Sequence, residues 1–167
     1  VQVALGSSDA FQTPSQWIDD FSDVQGWTSE NSRRQLADVN GDGLADIVGI
    51  SSISGGVQIA LSNGTSFTSS EKVLDDFSST QGWSLTDPVM LIDINGDKIM
   101  DIVGIKNMTV WAAIASGGGE FNDPTEWLTS FGLTGANYQA ADLNGDGNAD
   151  LTVVANDNSM QVALSTG

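Results

Sequence analysis

An all-β fold of four-stranded β-propeller blades is predicted by three features of the sequence. The first is a self-match: VQVAL at residue 1 returns as VQIAL at 57, VWAAI at 110 and MQVAL at 160, and similarity at a period of roughly 50 residues marks a repeat architecture. The second is a set of landmarks that keep step. DDF at 19 and 75 leads to QGW at 25 and 81, with a looser TSF at 129, and each unit then reaches an acidic stretch: DVNGDGLAD at 38, DINGDKIMD at 93 and DLNGDGNAD at 142. The third is hydrophobic periodicity. The apolar runs are short and β-branched or alternate with period two, and no segment sustains a helical stripe.

Within a unit the elements follow in order. One strand enters the acidic loop, a second leaves it as DIVGI (46 to 50, 101 to 105) or LTVVA (151 to 155), VQIALS (57 to 62) forms the third, and a fourth ends in DDF. PSQWIDDF and PTEWLTSF, the nearest approach to a helical pattern, predict an outer strand or a single turn. Four antiparallel strands per unit of roughly 50 residues suit a propeller blade better than a solenoid coil. The expected boundaries are a partial blade over 1–35, blades over 36–89 and 90–138, and a partial blade over 139–167. Propellers close with about 4 to 8 blades, so three units predict either part of a larger ring or a homo-oligomer whose copies complete shared blades and hide their strand edges.

Composition removes several classes of function. With 22 acids against 5 bases and a formal net charge of −17, the chain repels nucleic acid and anionic surfaces. No run approaches the roughly 18 apolar residues of a membrane span, so no membrane insertion is expected. The first residues lack a basic leader start, so any export signal is expected upstream of Val1. The absence of histidine and cysteine removes disulfides, thiolate and imidazole metal sites, and Ser-His or Cys-His nucleophiles. Asp19–Asp20 and Asp75–Asp76 are adjacent carboxylates, but neighbours on a strand point to opposite faces, so no catalytic residue is assigned. Sequons at Asn63-Gly64-Thr65 and Asn107-Met108-Thr109 permit glycosylation in a secretory route.

The acidic stretches carry the sharpest chemistry. In the first, Asp38, Asn40 and Asp42 occupy loop positions 1, 3 and 5, the Leu44 carbonyl position 7, and Asp46 position 9. Alternating oxygens around a tight turn converge on one point, and calcium takes roughly 6 to 8 such ligands in flexible geometry, whereas magnesium holds to a stricter octahedron. The arrangement recurs as Asp93, Asn95, Asp97, Ile99 and Asp101, and as Asp142, Asn144, Asp146, Asn148 and Asp150. Turn chemistry alone needs only the Asn-Gly or Asp-Gly pair, and leaves the aspartate four positions further on unexplained. Up to three calcium ions are therefore expected; their six positive charges would take −17 to −11. The Asp93–Asp101 site is expected to be weakest, because Lys98 stands where its counterparts have glycine. An EF-hand is ruled out by the missing glutamate at position 12 and by strands where helices should flank the loop.

DVNGDGLADIVGI resembles the FG-GAP and VCBS-type calcium-loop repeats of β-propellers. The longer unit, VQIALSNGTSF followed by VLDDF, QGW and LIDINGDKIMDIVGI, is similar to the Psathyrella velutina lectin-type repeat of a seven-bladed propeller. That resemblance covers the whole chain. It implies binding of N-acetylglucosamine-type and sialylated glycans, or glycoproteins that carry them, in pockets between blades, in a secreted protein with calcium as a structural ion. Carried over residue by residue, it points to Trp27 and Arg34 in the first unit and to Trp83 in the second; a sugar pocket needs an aromatic face and planar polar groups, and Gln25 and Gln81 join these three as candidate ligand-binding residues on that ground. The family's histidine position holds Ser32, and the second unit offers Val89 and Met90 where the polar pair would fall. Trp27 and Trp83 serve equally well as blade-packing landmarks, and Trp17, Trp111 and Trp127 are expected to pack in the core. The alternative function is a structural or adhesion module that binds a protein partner.

Overall fold

The computed structural model describes residues 1–133 and 137–167. A short hairpin pairs β1 (Gln2–Val3) with β2 (Ser15–Gln16). The first full sheet is an antiparallel meander of β3 (Ser32–Ala37), β4 (Asp46–Ser51), β5 (Gly56–Ala60) and β6 (Glu71–Leu74). The second contains β7 (Val89–Ile92), β8 (Asp101–Lys106) and β9 (Thr109–Ala113). A small hairpin of β10 (Ala115–Gly117) and β11 (Glu120–Phe121) follows, and β12 (Thr125–Leu128) then returns to pair with β9. The third sheet holds β13 (Asn137–Ala141), β14 (Asp150–Val154) and β15 (Met160–Ala163). These are propeller blades, and the described residues close no barrel. The four expected strands per unit are present in the two complete sheets. PSQWIDDF and PTEWLTSF supply the outer strands β2 and β12.

The sheets stack face to face, and strand alternation decides which neighbour each residue meets. On β4, Ile47 faces the N-terminal hairpin with Phe21, Trp27 and Ala60. Val48 and Ile50 face the second sheet with Val57, Ile59 and Ile102. One blade on, Ile102 faces back, while Val103 and Ile105 face forward to Leu151 and Val153. Val57 and Val110 are 0% and 1% exposed, whereas the same repeat position in β15, Met160, is 56% exposed.

Trp27 and Trp83 are each only 5% exposed. Each lies across a glycine, Gly49 on β4 and Gly104 on β8, beside an aromatic partner: Phe21 at 4.7 Å and Phe77 at 4.9 Å between ring centroids. A Cβ at Gly104 would stand 2.6 Å from the Trp83 ring and 2.8 Å from Phe77, so the absent side chain is what admits the indole. The third unit has no tryptophan at this point, and there Val153 replaces the glycine and packs with Phe131 and Tyr138. Phe21 and Phe77 take positive φ, 58° and 60°, and the side chains of Asp20 and Asp76 accept their backbone N–H groups. Of the three other tryptophans expected in the core, Trp111 is half-buried and packs against it; the expectation is corrected for Trp17, half-buried beside Phe67, and for Trp127, 36% exposed. Trp127 sits on the outer edge strand β12, whereas Trp27 and Trp83 are wedged between sheets. Gly104→Ala should therefore destabilise the fold by about 1–3 kcal/mol through overpacking, read as a lower urea midpoint with an unchanged m-value.

Candidate ligand sites: acidic loops and blade-junction cavities

Each acidic loop lies between the first and second strands of its blade and is a ladder of side-chain to backbone bonds. The Asp38 carboxylate accepts the N–H groups of Gly41 and Gly43, both at 2.7 Å. Asn40 Oδ1 accepts from Asp42 N at 2.8 Å, and Asp42 Oδ1 from Leu44 N at 2.8 Å. The pattern returns with Asp93, Asn95 and Asp97 bonding the amides that lead to Ile99, and with Asp142, Asn144 and Asp146 bonding those that lead to Asn148. Gly41 and Gly43 take φ of 83° and 85°, and Lys98 adopts 73° where its counterparts have glycine, a conformation costly for a residue with a Cβ.

The closing aspartates are different in kind. Asp46, Asp101 and Asp150 are 0% exposed. Asp46 Oδ2 accepts from Val39 N at 3.1 Å and Oδ1 from Ser62 N at 2.7 Å. Asp101 does the same with Ile94 and Ala115, and Asp150 with Leu143 and Ser165. Each carboxylate thus ties the start of its loop to the end of the third strand. Burial, with the nearby charges of Asp97 and Asp93, pushes the Asp101 carboxyl up to about 6 against the two amide bonds that lower it; Asp46 is raised for the same reasons. The amides of Gly145 and Gly147 hold Asp142 below its ordinary value. Among the described residues no three His, Cys, Asp or Glu side chains form a ready-made metal cluster, and the oxygens at each exposed loop mouth are a carboxylate, an amide and a second carboxylate. Neighbouring loops are bonded to one another: Met100 N donates to Asp38 O at 2.9 Å, and Ala149 N to Asp93 O at 2.8 Å.

Two polar cavities open where blades meet. The first, of about 330 Å³, lies between the N-terminal hairpin and the first full sheet, and its walls include Asp20, Gln25, Trp27, Ser51, Ser54 and Gln58. The second, of about 410 Å³, lies between the first full sheet and the connection from β6 to β7, and its walls include Glu30, Arg33, Ser52, Ser78, Trp83 and Ser84. Arg33 is anchored through its terminal nitrogens, with Nη1 donating to Asp87 O at 2.7 Å and Nη2 to Ser84 O at 2.8 Å. Its buried Nε has no partner. Burial lowers the pKa of this guanidinium, partly offset by Asp87.

The five expected sugar-site positions are thus distributed. Gln25 and Trp27 share the first cavity, and Trp83 borders the second. Gln81 bridges the junction, its amide donating to Gly55 O at 3.2 Å and its Oε1 accepting from Ser78 Oγ at 2.7 Å. Arg34 lines neither polar cavity; its Nη1 donates to Phe21 O at 2.6 Å, bracing a residue at positive φ. The buried rings of Trp27 and Trp83 leave almost no face for a pyranose. The residue that sequence reasoning missed is Arg33. Alternation on β3 turns Arg34 toward the hairpin and Arg33, with Gln35, toward the second blade, where Gln35 donates to Val89 O at 2.9 Å.

Comparison with known proteins gives three findings. A family model described as FG-GAP-like repeat matches residues 38–104 and 93–153. An Agrocybe aegerita lectin, solved for its specific recognition of non-reducing terminal N-acetylglucosamine, is 30% identical with a TM-score of 0.88; the alignment covers 99% of this chain and 44% of the lectin's. The Photorhabdus luminescens Tc holotoxin pore (TM-score 0.67, 96% of this chain and 8% of that one) and the TcdB2-TccC3 complex (0.68, 97% and 7%) are each 18% identical and share the fold. No curated protein matches significantly. The chain thus spans less than half the length of the lectin it matches.

The Asp101 carboxyl makes stability depend on pH in a defined direction. Its folded value of about 6 stands above the ordinary 3.8, so as pH rises from about 4 to 6 the unfolded chain releases this proton first and the group's contribution to stability falls. In chelator-treated protein, a carboxyl-carbon NMR titration of Asp101 should show a midpoint near 6.

Proposed function

The chain belongs to the FG-GAP-like repeat family, and on that premise we propose that it is a non-catalytic, lectin-like propeller module. It binds glycans ending in N-acetylglucosamine-type or sialylated residues between its blades, with calcium bracing the acidic loops. The observation that carries this proposal is the cavity between the first complete sheet and the β6–β7 connection that leads into the next. A sugar site needs planar polar groups fixed in direction within a walled recess, and Arg33 lines this one with its two terminal nitrogens held by carbonyls, its unpartnered Nε being buried. The hydroxyls of Ser52, just past β4, and of Ser78, Ser79 and Ser84 on the β6–β7 connection complete the lining. The 30% identical lectin that recognises terminal N-acetylglucosamine supports the same class of ligand.

Calcium fits the loops by donor chemistry. Every donor is an oxygen, the set repeats three times, and a carboxylate oxygen that accepts one amide keeps a further lone pair. Asp38, Asn40 and Asp42 would hold the ion in the first loop, with Asp46 behind them, and their counterparts in the other two. The ion would supply positive charge where like charges crowd, and calcium-rich extracellular fluid is the compartment that suits it.

A glycan array in millimolar calcium should show selective binding to terminal amino sugars or sialylated glycans; a blank array with a calcium-stabilised fold would leave a structural or protein-binding module. Arg33→Ala should weaken N-acetylglucosamine binding about tenfold or more by isothermal titration, with Arg33→Lys retaining the charge as the control for folding. Removal of calcium with EDTA should lower the melting temperature by several degrees or more, and an unchanged melt would sink the metal assignment.

A further inference from the structure

The sequence holds four Asn-Gly pairs, Asn40-Gly41, Asn63-Gly64, Asn95-Gly96 and Asn144-Gly145, and the fold holds one of them differently from the rest. An asparagine before glycine is open to attack on its side-chain carbonyl by the glycine nitrogen, because no Cβ stands in the way. In the three acidic loops carboxylates hold both reacting groups. The glycine N–H donates to Asp38 at 2.7 Å, to Asp93 at 2.7 Å and to Asp142 at 2.6 Å. The asparagine Nδ2 donates to Asp42, Asp97 and Asp146 at 3.0, 3.0 and 2.9 Å. A glycine nitrogen that gave up its proton there would face an anion at hydrogen-bond distance, and a like charge disfavours that form.

Asn63 is exposed and lies between β5 and β6, in a turn closed by the Ser62–Phe67 bridge and by its own N–H donating to Ser66 O at 3.0 Å. Among the described residues no carboxylate bonds to it. Gly64 N donates to a neutral oxygen, Ser62 Oγ, at 3.2 Å, and Asn63 Nδ2 to Ser66 Oγ at 2.9 Å. Three donors converge on Asn63 Oδ1: Thr65 N at 3.0 Å, Thr65 Oγ1 at 2.9 Å and Ser66 N at 2.9 Å. The corresponding oxygens of Asn40, Asn95 and Asn144 each accept a single amide, from Asp42, Asp97 and Asp146. Attack by Gly64 N places negative charge on Oδ1, and donors already aimed at the atom where charge develops lower the barrier.

We propose that Asn63-Gly64 is a site of spontaneous modification, at which the folded turn promotes deamidation while the acidic loops suppress it in the other three pairs. Gly64 N loses its proton to solvent base and bonds to Asn63 Cγ. The Cγ–Nδ2 bond breaks, Nδ2 takes up a proton from solvent and leaves as ammonia, and a cyclic imide remains. Water then opens either imide carbonyl, giving an aspartyl or an isoaspartyl residue. The product carries one more negative charge, −18 in place of −17, and has lost the Asn63-Gly64-Thr65 sequon. The isoaspartyl form also adds a main-chain atom directly after Ser62, whose amide holds the buried Asp46 at 2.7 Å, so it loosens the closing carboxylate of the first blade. The reaction requires neither glycan nor calcium.

The test holds the protein in mildly alkaline buffer with EDTA, once folded below its melting temperature and once unfolded in urea. Peptide mapping by mass spectrometry follows the amide-to-acid conversion of each asparagine. In urea the four pairs should react at similar rates, which gives each its own reference. In the fold Asn63 should convert at least as fast as its reference, whereas Asn40, Asn95 and Asn144 should be slowed about tenfold or more. Thr65→Val, which removes the hydroxyl donor, should slow folded Asn63 by about tenfold, less than such a donor is worth in a buried oxyanion hole, and leave its rate in urea nearly unchanged. Thr65→Ser should restore the folded rate. Conversion of Asn63 more slowly in the fold than in urea, or of the acidic-loop asparagines as fast as Asn63, would overturn the proposal. Equal folded rates for Thr65→Val and the unmodified protein would overturn the part given to the converging donors.

Discussion

The architecture depends on a buried carboxylate that closes each acidic loop. Asp46, Asp101 and Asp150 are without solvent exposure, and a charge in that position is tolerable only when its oxygens are engaged. Each engages two main-chain amides from different parts of the blade, one at the entry of the loop and one just past the third strand. A single side chain therefore fixes the loop, the strand that leaves it and the strand after that in one register. The energetic tension is visible in the raised carboxyl of Asp101, where two amide bonds do not fully offset burial and the charges of Asp93 and Asp97. In the calcium proposal, the cation acts on the other side of the same loop, against the exposed carboxylates.

Around that fixed frame the repeats are free to differ, and they differ where ligands would sit. The first two units keep the pairing of a wedged tryptophan with a glycine, and the third abandons both together, putting Val153 where an indole would otherwise lie. The two junctions between blades are likewise unequal: one presents Arg33, and the other has no arginine at the corresponding place. Lys106, its ammonium 4.6 Å from the centre of the Trp83 ring, packs where the first unit has Ser51, since a lysine stem and ammonium make favourable contact beside an aromatic ring.

Much of this is legible in the sequence. Four strands per unit follow from alternation and β-branching, and the positive φ of Lys98 follows from its place among glycines. Three things are not. Asp46 looks by spacing like one more donor in a cage, because sequence shows the interval between carboxylates but not the amides that reach them from Ser62, sixteen residues on. Arg33 and Arg34 are adjacent, and only the pairing of β3 with β4 decides which faces the next blade; a shift of one residue exchanges them. Trp27 was readable as either platform or packing, and what buries it is a glycine on another strand, whose effect is the space it leaves empty.

The bonds that join one acidic loop to the next, Met100 N to Asp38 O and Ala149 N to Asp93 O, are made by main-chain atoms alone. A mutation at Met100 or Ala149 that spares the backbone leaves the bond, and so the angle between successive blades, in place. Duplicated copies of such a unit can diverge widely in side chains, gaining or losing binding recesses one at a time, without altering the pitch at which the ring is built.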